Sequence, residues 1–171
     1  MLGSRMQAAI NQQINAETYS AYLYMAMAAY FDNLKLGGFS HWMTMQVQEE
    51  LSHAMIFYKY VYERGGTVTL TQIDTPPAAW SSPLACAKAV LSHEQLVTGL
   101  INNLVDMARQ EGDKTTEKFL QWFVDEQGEE EESASELIAR VEMAANSPLN
   151  LLLVDKELNL RVFHKPSILT L

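Results

Sequence analysis

The sequence is poor in the residues that interrupt helices and in the residue that forms disulfides. Its 171 residues include 8 glycines, 5 prolines and a single cysteine, Cys86. One cysteine excludes a disulfide within the chain and fits a reducing compartment. Because helix breakers are scarce and 48% of the residues are hydrophobic, the composition favours a folded helical chain over a disordered one.

Basic residues and long apolar runs are also scarce. Only 12 Lys and Arg stand against 21 Asp and Glu, which gives a formal net charge of -9. An acidic surface repels nucleic acid and attracts cations, so we expect no nucleic-acid partner. The apolar runs are too short to cross a bilayer, and residues 1–13 lack the pattern of a secretory signal. These absences predict a cytoplasmic protein that does not act at a membrane.

Turn signals divide the chain into four long helical segments and a short one. The stretch SRMQ at 4–7 resembles a capping box and predicts the start of the first helix. The stretch 67–81 is rich in threonine and contains two adjacent prolines, so we expect it to be extended. Ser82 and Pro83 offer a cap and a first-turn proline for the third helix. The predicted helices cover about 5–32, 39–64, 83–110, 115–145 and 149–161, and a tail covers 162–171.

The lengths of the connections predict how these helices pack. Two short turns join the first helix to the second and the third to the fourth, whereas a long connection separates the second from the third. Such a crossover allows the second and third helices to run parallel in a four-helix bundle. We therefore predict an all-α fold: a bundle over about 5–145 with a long crossover between helices 2 and 3, and a short fifth C-terminal helix. The whole chain, 1–171, is expected to form one domain.

Each long helix carries a glutamate in the middle of its apolar stripe. In the second helix, for example, Met43, Val47 and Ala54 follow helical spacing, and Glu50 falls in the gap of that series. Burying a lone charge is costly, so such a residue needs a partner or a metal ion. The residues in these gaps are Glu17, Glu50 with His53 one turn later, Glu94, and Glu126 with Glu130.

The four helices together predict a metal centre. A single glutamate on a helix is most simply a solvated residue, but several carboxylates at one level of a bundle must raise one another's pKa or bind cations. Oxygen ligands with one imidazole suit divalent iron or manganese, whereas a structural zinc site usually brings cysteines. Glu50 and His53 lie on one helix face and can share a metal ion. The remaining histidines, His41, His93 and His164, are expected to be surface residues rather than ligands.

Four stretches carry a resemblance to a known family. They are NQQINAETYSAYLYMAM around Glu17, QEELSHAM around Glu50 and His53, FLQWFVDEQGEEE around Glu130, and DKELNLR at 155–161. On these stretches the chain resembles the ferritins, specifically the non-haem prokaryotic type, over nearly its whole length. The last stretch is similar to the short fifth helix of that family.

The resemblance implies an activity and an assembly. It implies a ferroxidase that oxidises Fe(II) to Fe(III) at a di-iron centre with O2 or H2O2. It also implies iron storage, with the mineral held inside a hollow homo-oligomeric shell of 24 subunits. Leu51 stands where the haem-binding relative carries a methionine after the bridging glutamate, so no haem is expected.

The resemblance also implies the role of each site residue. Glu17, Glu50 and His53 would hold one iron, and Glu50 would bridge to a second iron held by Glu94 and Glu130, with Gln127 nearby. Tyr24 matches a tyrosine beside the centre that can supply an electron. A third iron position found in some bacterial ferritins matches Glu49, Glu126, Glu129 and Glu130.

Two alternatives from other functional classes remain open at this point. A di-iron redox enzyme, such as a peroxidase, would use the same ligands without storing iron, and the short fifth helix argues against it. A passive storage subunit would mineralise iron slowly without a ferroxidase centre. That alternative predicts the loss of acids from the helix seams, and none is missing here.

Overall fold

The structure is a computed structural model that describes residues 1–144, 147–166 and 168. Over these residues the regular elements are all α-helices, which confirms the predicted fold class. No helix among them is long and apolar enough to cross a membrane. The helices are α1 (Ser4–Asn33), α2 (Gly37–Glu63), α3 (Pro83–Glu111), α4 (Lys114–Ala144) and α5 (Pro148–Leu158).

Two apolar clusters inside the bundle define the directions of the helices. One cluster joins the second half of α1, including Phe31, to the first half of α3, including Val90. The other joins the first half of α1, including Ile10, to the second half of α3, including Leu104. Helix α1 therefore runs antiparallel to α3. Because α1 and α2 form a hairpin, α2 and α3 run parallel, as the long crossover predicted.

The crossover between α2 and α3 is tied along the outer side of α1. Gln7, Asn11 and Asn15 follow one another at four-residue spacing and so share a helix face. The Gln7 side chain accepts a hydrogen bond from the backbone of Thr67 (3.1 Å), and Asn15 donates to the backbone of Gln72 (2.9 Å). Gln7 is thus bound to the crossover, and the predicted capping box does not form: Gly3 is the N-cap of α1, without a side-chain hydrogen bond.

The predicted helix boundaries differ from the structure at a few positions. Lys35, in the connection between α1 and α2, has a left-handed backbone (φ 61°). The connection ends there, so α2 begins at Gly37, two residues before the predicted start at 39. Helix α5 ends at Leu158 because Leu160 and Arg161 bond to carbonyls three residues back, in a tighter turn. The predicted helix end at 145 and parts of the predicted tail, 167 and 169–171, lie outside the described residues.

Helix α5 docks against the start of α2. One oxygen of the Asp155 carboxylate, Oδ1, accepts hydrogen bonds from the backbone N–H groups of Gly38 (2.7 Å) and Phe39 (3.0 Å). A carboxylate at this position satisfies free N–H groups and complements the helix dipole. The approach is close: a Cβ on Gly38 would lie 1.6 Å from the carbonyl oxygen of Asp155. The fold therefore requires glycine at this position.

We predict that Gly38→Ala destabilises the protein by about 1–3 kcal/mol, the usual range for forced overpacking. The added methyl group cannot coexist with the Asp155 carbonyl, so α5 must shift away from α2. Urea denaturation at fixed protein concentration measures the change in the free energy of unfolding. The matched control is Gly37→Ala, because a Cβ at Gly37 meets nothing within 4 Å. Equal stability of the two variants would contradict the close packing of α5.

Candidate metal centre

A polar layer lies between the two apolar clusters of the bundle. Each long helix contributes one buried glutamate to this layer, and the four residues are only 1% to 5% exposed. The apolar residues that flank them in each helix are buried in the clusters above and below. Side chains in the layer therefore face one another rather than water. The four residues are Glu17, Glu50, Glu94 and Glu130.

The first group of candidate ligands joins α1 and α2. Glu17, Glu50 and His53 each offer one ligand atom, and these atoms lie within 4.8 Å of one another. His53 Nδ1 is 3.5 Å from Glu50 Oε2. Glu17 Oε2 and Glu50 Oε1 are buried and have no hydrogen-bond partner among the described residues. Buried polar atoms are normally paired, so two unpaired oxygens indicate a missing partner. Both oxygen atoms are available to bind a cation.

The second group joins α2 and α4 through the same histidine. Ligand atoms of His53, Glu126 and Glu130 also lie within 4.8 Å of one another. His53 Nε2 is 3.9 Å from Glu126 Oε1, and the Glu126 side chain is 25% exposed. His53 thus presents one ring nitrogen to each group. The second group is the more accessible of the two.

Glu94 lies in the layer but belongs to neither group. Its Oε1 accepts a hydrogen bond from the hydroxyl of Tyr24. Gln127 Nε2 donates to both the backbone oxygen (3.2 Å) and Oε2 (3.3 Å) of Glu94. Helices α1 and α4 therefore hold this carboxylate from two sides. Tyr24 and Gln127 thus both lie beside Glu94.

Burial and mutual repulsion raise the pKa values of Glu17, Glu50 and Glu94. Burial, with the charge of Glu130, raises the pKa of Glu94 to about 8. Burial and the nearby Glu94 charge raise the pKa of Glu50 well above its ordinary value, and burial also raises that of Glu17. Burial alone would lower the pKa of His53, but its contacts with Glu126 and Glu50 raise it well above the ordinary value. The layer therefore holds protons that a cation can replace.

The acids expected at a third iron position are only partly assembled. Glu126 and Glu130 approach each other beside His53. Glu49 instead forms a 2.6 Å ion pair with Arg161. Glu129 is exposed on α4 and is absent from the two ligand groups found among the described residues.

The helical pattern of the sequence did not lead us to two glutamines that support the layer. Gln13 Nε2 donates to Glu17 Oε1 (2.8 Å), and Gln46 Nε2 donates to Glu130 Oε2 (2.8 Å). Both glutamines are almost fully buried. Each lies one helical turn before the glutamate in its own helix, so the repeated Gln-x-x-x-Glu spacing was a usable signal.

The expectation that His93 lies on the surface is wrong. Its ring is partly buried beside Tyr19 and Tyr24, with centroid distances of 5.8 and 6.0 Å. His93 Nε2 lies 2.7 Å from Ser20 Oγ, and burial lowers the pKa of the imidazole to about 4. His93 therefore packs behind Tyr24 as a neutral residue. Periodicity alone did not reveal it, because its neighbours come from another helix.

Comparisons with known proteins cover nearly the whole chain. A family model described as "Ferritin-like domain" matches residues 7–144. The bacterial non-heme ferritin of Bacteroides fragilis is 39% identical over 161 residues, which cover 94% of this chain and 100% of the relative. The bacterial non-heme ferritin of Staphylococcus aureus is 38% identical over 163 residues, which cover 95% of this chain and 98% of the relative.

Solved structures of an archaeal ferritin have the same fold. The open-pore ferritin of Archaeoglobus fulgidus superimposes with a TM-score of 0.94 at 50% identity, covering 95% of this chain and 100% of that chain. A closed form of that ferritin, engineered by mutagenesis, gives a TM-score of 0.95 at 50% identity, covering 96% and 100%. These matches span the four helices that supply the polar layer.

We predict that the metal-free protein becomes less stable as the pH rises from about 5 to about 8. The pKa of Glu94 is about 8 in the folded state and near 4.5 in the unfolded chain. Over this range the folded state keeps a proton that the unfolded chain has released, so raising the pH favours unfolding. Glu94→Gln should remove roughly 2–4 kcal/mol of this dependence.

Urea denaturation of the metal-free protein at several pH values measures this effect. Glu132→Gln is the matched control, because Glu132 is an exposed acid on α4. The parent and the control should show the same pH dependence. A Glu94→Gln variant with the slope of the parent would show that the Glu94 carboxyl does not retain its proton.

Proposed function

Because the chain belongs to the ferritin family, we propose that it oxidises Fe(II) to Fe(III) at a di-iron centre and stores the product as a mineral. Family membership supports iron storage in general. The observation that carries the ferroxidase proposal is the first ligand group, Glu17, Glu50 and His53, in which two buried carboxylate oxygens have no protein partner among the described residues. Such oxygens suit a hard cation such as iron.

In this proposal each helix of the bundle supplies ligands for iron. Glu17 and His53 hold the first ferrous ion, and Glu50 bridges to the second. Glu94 and Glu130 hold the second ion, with Gln127 close to it. The support for a bridging role is that Glu50 approaches His53 with one oxygen while its other oxygen is unpaired within the described residues.

The electron balance follows from two ferrous ions bound close together. Each Fe(II) gives one electron, so the pair reduces O2 to H2O2, or H2O2 to water, with protons taken from the surroundings. Burial raises the pKa values of the buried acids, so these acids hold protons before iron binds. Ferrous ions replace these protons, which are released. Carboxylates then stabilise the ferric product as hard ligands.

Tyr24 is proposed as an additional electron donor. Its hydroxyl donates a hydrogen bond to Glu94. Burial and the Glu94 charge raise the pKa of the phenol well above its ordinary value, so Tyr24 is neutral before it reacts. When Tyr24 gives an electron to the oxidant, O2 or H2O2, its proton can pass along this hydrogen bond to the Glu94 carboxylate, which has released its own proton on binding iron. The two transfers together leave a neutral oxidised side chain.

A third iron position forms part of the proposal. Glu126 and Glu130 would hold that ion, with Glu49 and Glu129 as further ligands. The approach of Glu126 and Glu130 beside His53 supports this position. Because Glu126 is partly exposed, the third position offers a route between the buried centre and the surface.

The proposed assembly is a homo-oligomeric shell of 24 subunits in the cytoplasm, each subunit being one domain over 1–171. The docking of α5 on α2 supports a single domain. Several α5 leucines are at least half exposed, which supports contacts between subunits. The buried, free Cys86 is consistent with a reducing compartment. We propose no haem, since Leu51 offers no sulfur ligand.

We predict that Glu50→Ala slows the initial rate of Fe(II) oxidation by at least about tenfold, because removing a bridging ligand weakens both metal positions. Stopped-flow absorbance after mixing ferrous ion with oxygenated protein measures the rate. Glu132→Ala, at an exposed acid of α4, is the matched control and should keep the parent rate. An unchanged rate for Glu50→Ala would overturn the di-iron assignment.

Storage is tested separately by size-exclusion chromatography. Many ferrous ions per chain are added without oxygen, air is admitted, and iron and protein are followed together through the column. We expect iron in large excess over three ions per chain to elute with a very large protein shell. If iron instead stops at two or three ions per chain on a small oligomer, the storage proposal fails and a di-iron redox enzyme takes its place.

A further inference from the structure

Arg161 makes three contacts at the edge of the metal centre. Its Nη2 donates to Glu49 Oε2 at 2.6 Å. Its guanidinium carbon lies 4.5 Å from the centre of the Trp42 ring, within cation–π range. Its backbone oxygen accepts a hydrogen bond from His41 Nε2 (2.8 Å). The segment after α5 is thereby fastened to α2, the helix that also carries Glu50 and His53.

The Glu49 carboxylate lies within the electric field of two neighbouring acids, Glu126 and Glu130, here called the outer acids. The charges of Glu130 and Glu126 both act on it, and Arg161 opposes them. The Arg161 and Glu49 side chains are 21% and 17% exposed, so water only partly screens their attraction. A guanidinium therefore supplies the positive charge that a metal ion would otherwise bring to Glu49.

We infer that Arg161 competes with metal ions for the outer metal position, which is the proposed third iron position. A cation bound there by Glu49 with Glu126 and Glu130 displaces the Arg161 guanidinium. This inference rests on the proposed function, because it takes the outer acids as metal ligands. Metal binding at the outer position and docking of residues 159–161 then oppose each other. The coupling is reciprocal: whatever loosens Arg161 strengthens metal binding.

The surroundings of Arg161 favour such a displacement. Its Nη1 is buried and has no hydrogen-bond partner among the described residues. An unpaired buried donor costs free energy, which is recovered when the group reaches water. Next to the guanidinium is a cavity of about 340 Å³ whose lining includes Glu136 and Glu157. A released Arg161 side chain therefore has room and an alternative acidic partner in Glu157, since Glu136 already pairs with Arg140.

The first test compares Zn²⁺ binding, as a redox-inert probe, to the metal-free parent and to Arg161→Gln by titration calorimetry. We expect the third Zn²⁺ to bind about three- to fivefold more tightly to the variant, the effect of losing one partly exposed charge pair. Both proteins are titrated at the same pH and ionic strength, because metal affinity depends on pH and charge pairs depend on salt. Arg140→Gln is the matched control, since Arg140 lines the same cavity but pairs with Glu136.

The second test leaves Arg161 in place and follows the segment around it. Hydrogen exchange at the amides of 159–161, which are bonded to carbonyls in α5, should become faster when the third Zn²⁺ binds. Fluorescence of Trp42 should change at the same equivalent. A background with Trp80→Phe and Trp122→Phe isolates this signal, since the Trp122 ring lies 5.6 Å from that of His53.

The outcomes separate this inference from the function that it rests on. If two Zn²⁺ ions bind but the third binds equally to the parent and Arg161→Gln, or binds without faster exchange at 159–161, Arg161 is only a structural anchor and the inference fails. If even the first two ions do not bind, the proposed di-iron centre itself fails. Tighter binding to Arg140→Gln as well would show a general charge effect and also overturn the competition.

Discussion

The structure depends on the cost of keeping several carboxylates inside one helical bundle. Glu17, Glu50, Glu94 and Glu130 are almost fully buried, and His53 is the only histidine in the two ligand groups found among the described residues. One imidazole cannot balance four charges in a medium of low dielectric constant. Burial therefore raises the pKa values of Glu17 and Glu50, and with the charge of Glu130 it raises that of Glu94 to about 8. In the proposed function, cations take the place of the protons and bind the unpaired oxygens of Glu17 and Glu50.

The rest of the bundle makes this costly layer tolerable. Apolar clusters above and below it bury large side chains such as Phe31 and Phe57, and their burial offsets the cost of the acids. Polar side chains around the layer limit the movement of the carboxylates: Gln13 holds Glu17, Gln46 holds Glu130, and Tyr24 and Gln127 hold Glu94. Ligands that are already oriented lose less entropy when an ion binds.

The C-terminal segment connects this buried chemistry to the outside of the subunit. Asp155 anchors α5 on the start of α2, and Arg161 returns to the same helix at Glu49. The half of α2 that begins at Gly37 thus carries both the docking site of α5 and Glu49, the residue next to the buried Glu50. The two contacts therefore lie on one helix, α2, and both hold the C-terminal segment against it.

The sequence by itself determined the helices, their crossover and the four buried acids, because helical periodicity shows directly when a glutamate interrupts an apolar stripe. It also placed Glu126 in the stripe of α4, whereas that side chain is 25% exposed. It also placed Tyr24 and Gln127 near the centre through the family resemblance. Only the tertiary structure decided which groups meet across helices: that His53 serves two ligand groups, that His93 packs behind Tyr24, and that Arg161 binds Glu49. These contacts join residues far apart in the chain, and spacing along one helix carries no information about the partner that faces it. The same limit explains the absent capping box, because the Gln7 side chain instead accepts a hydrogen bond from the crossover.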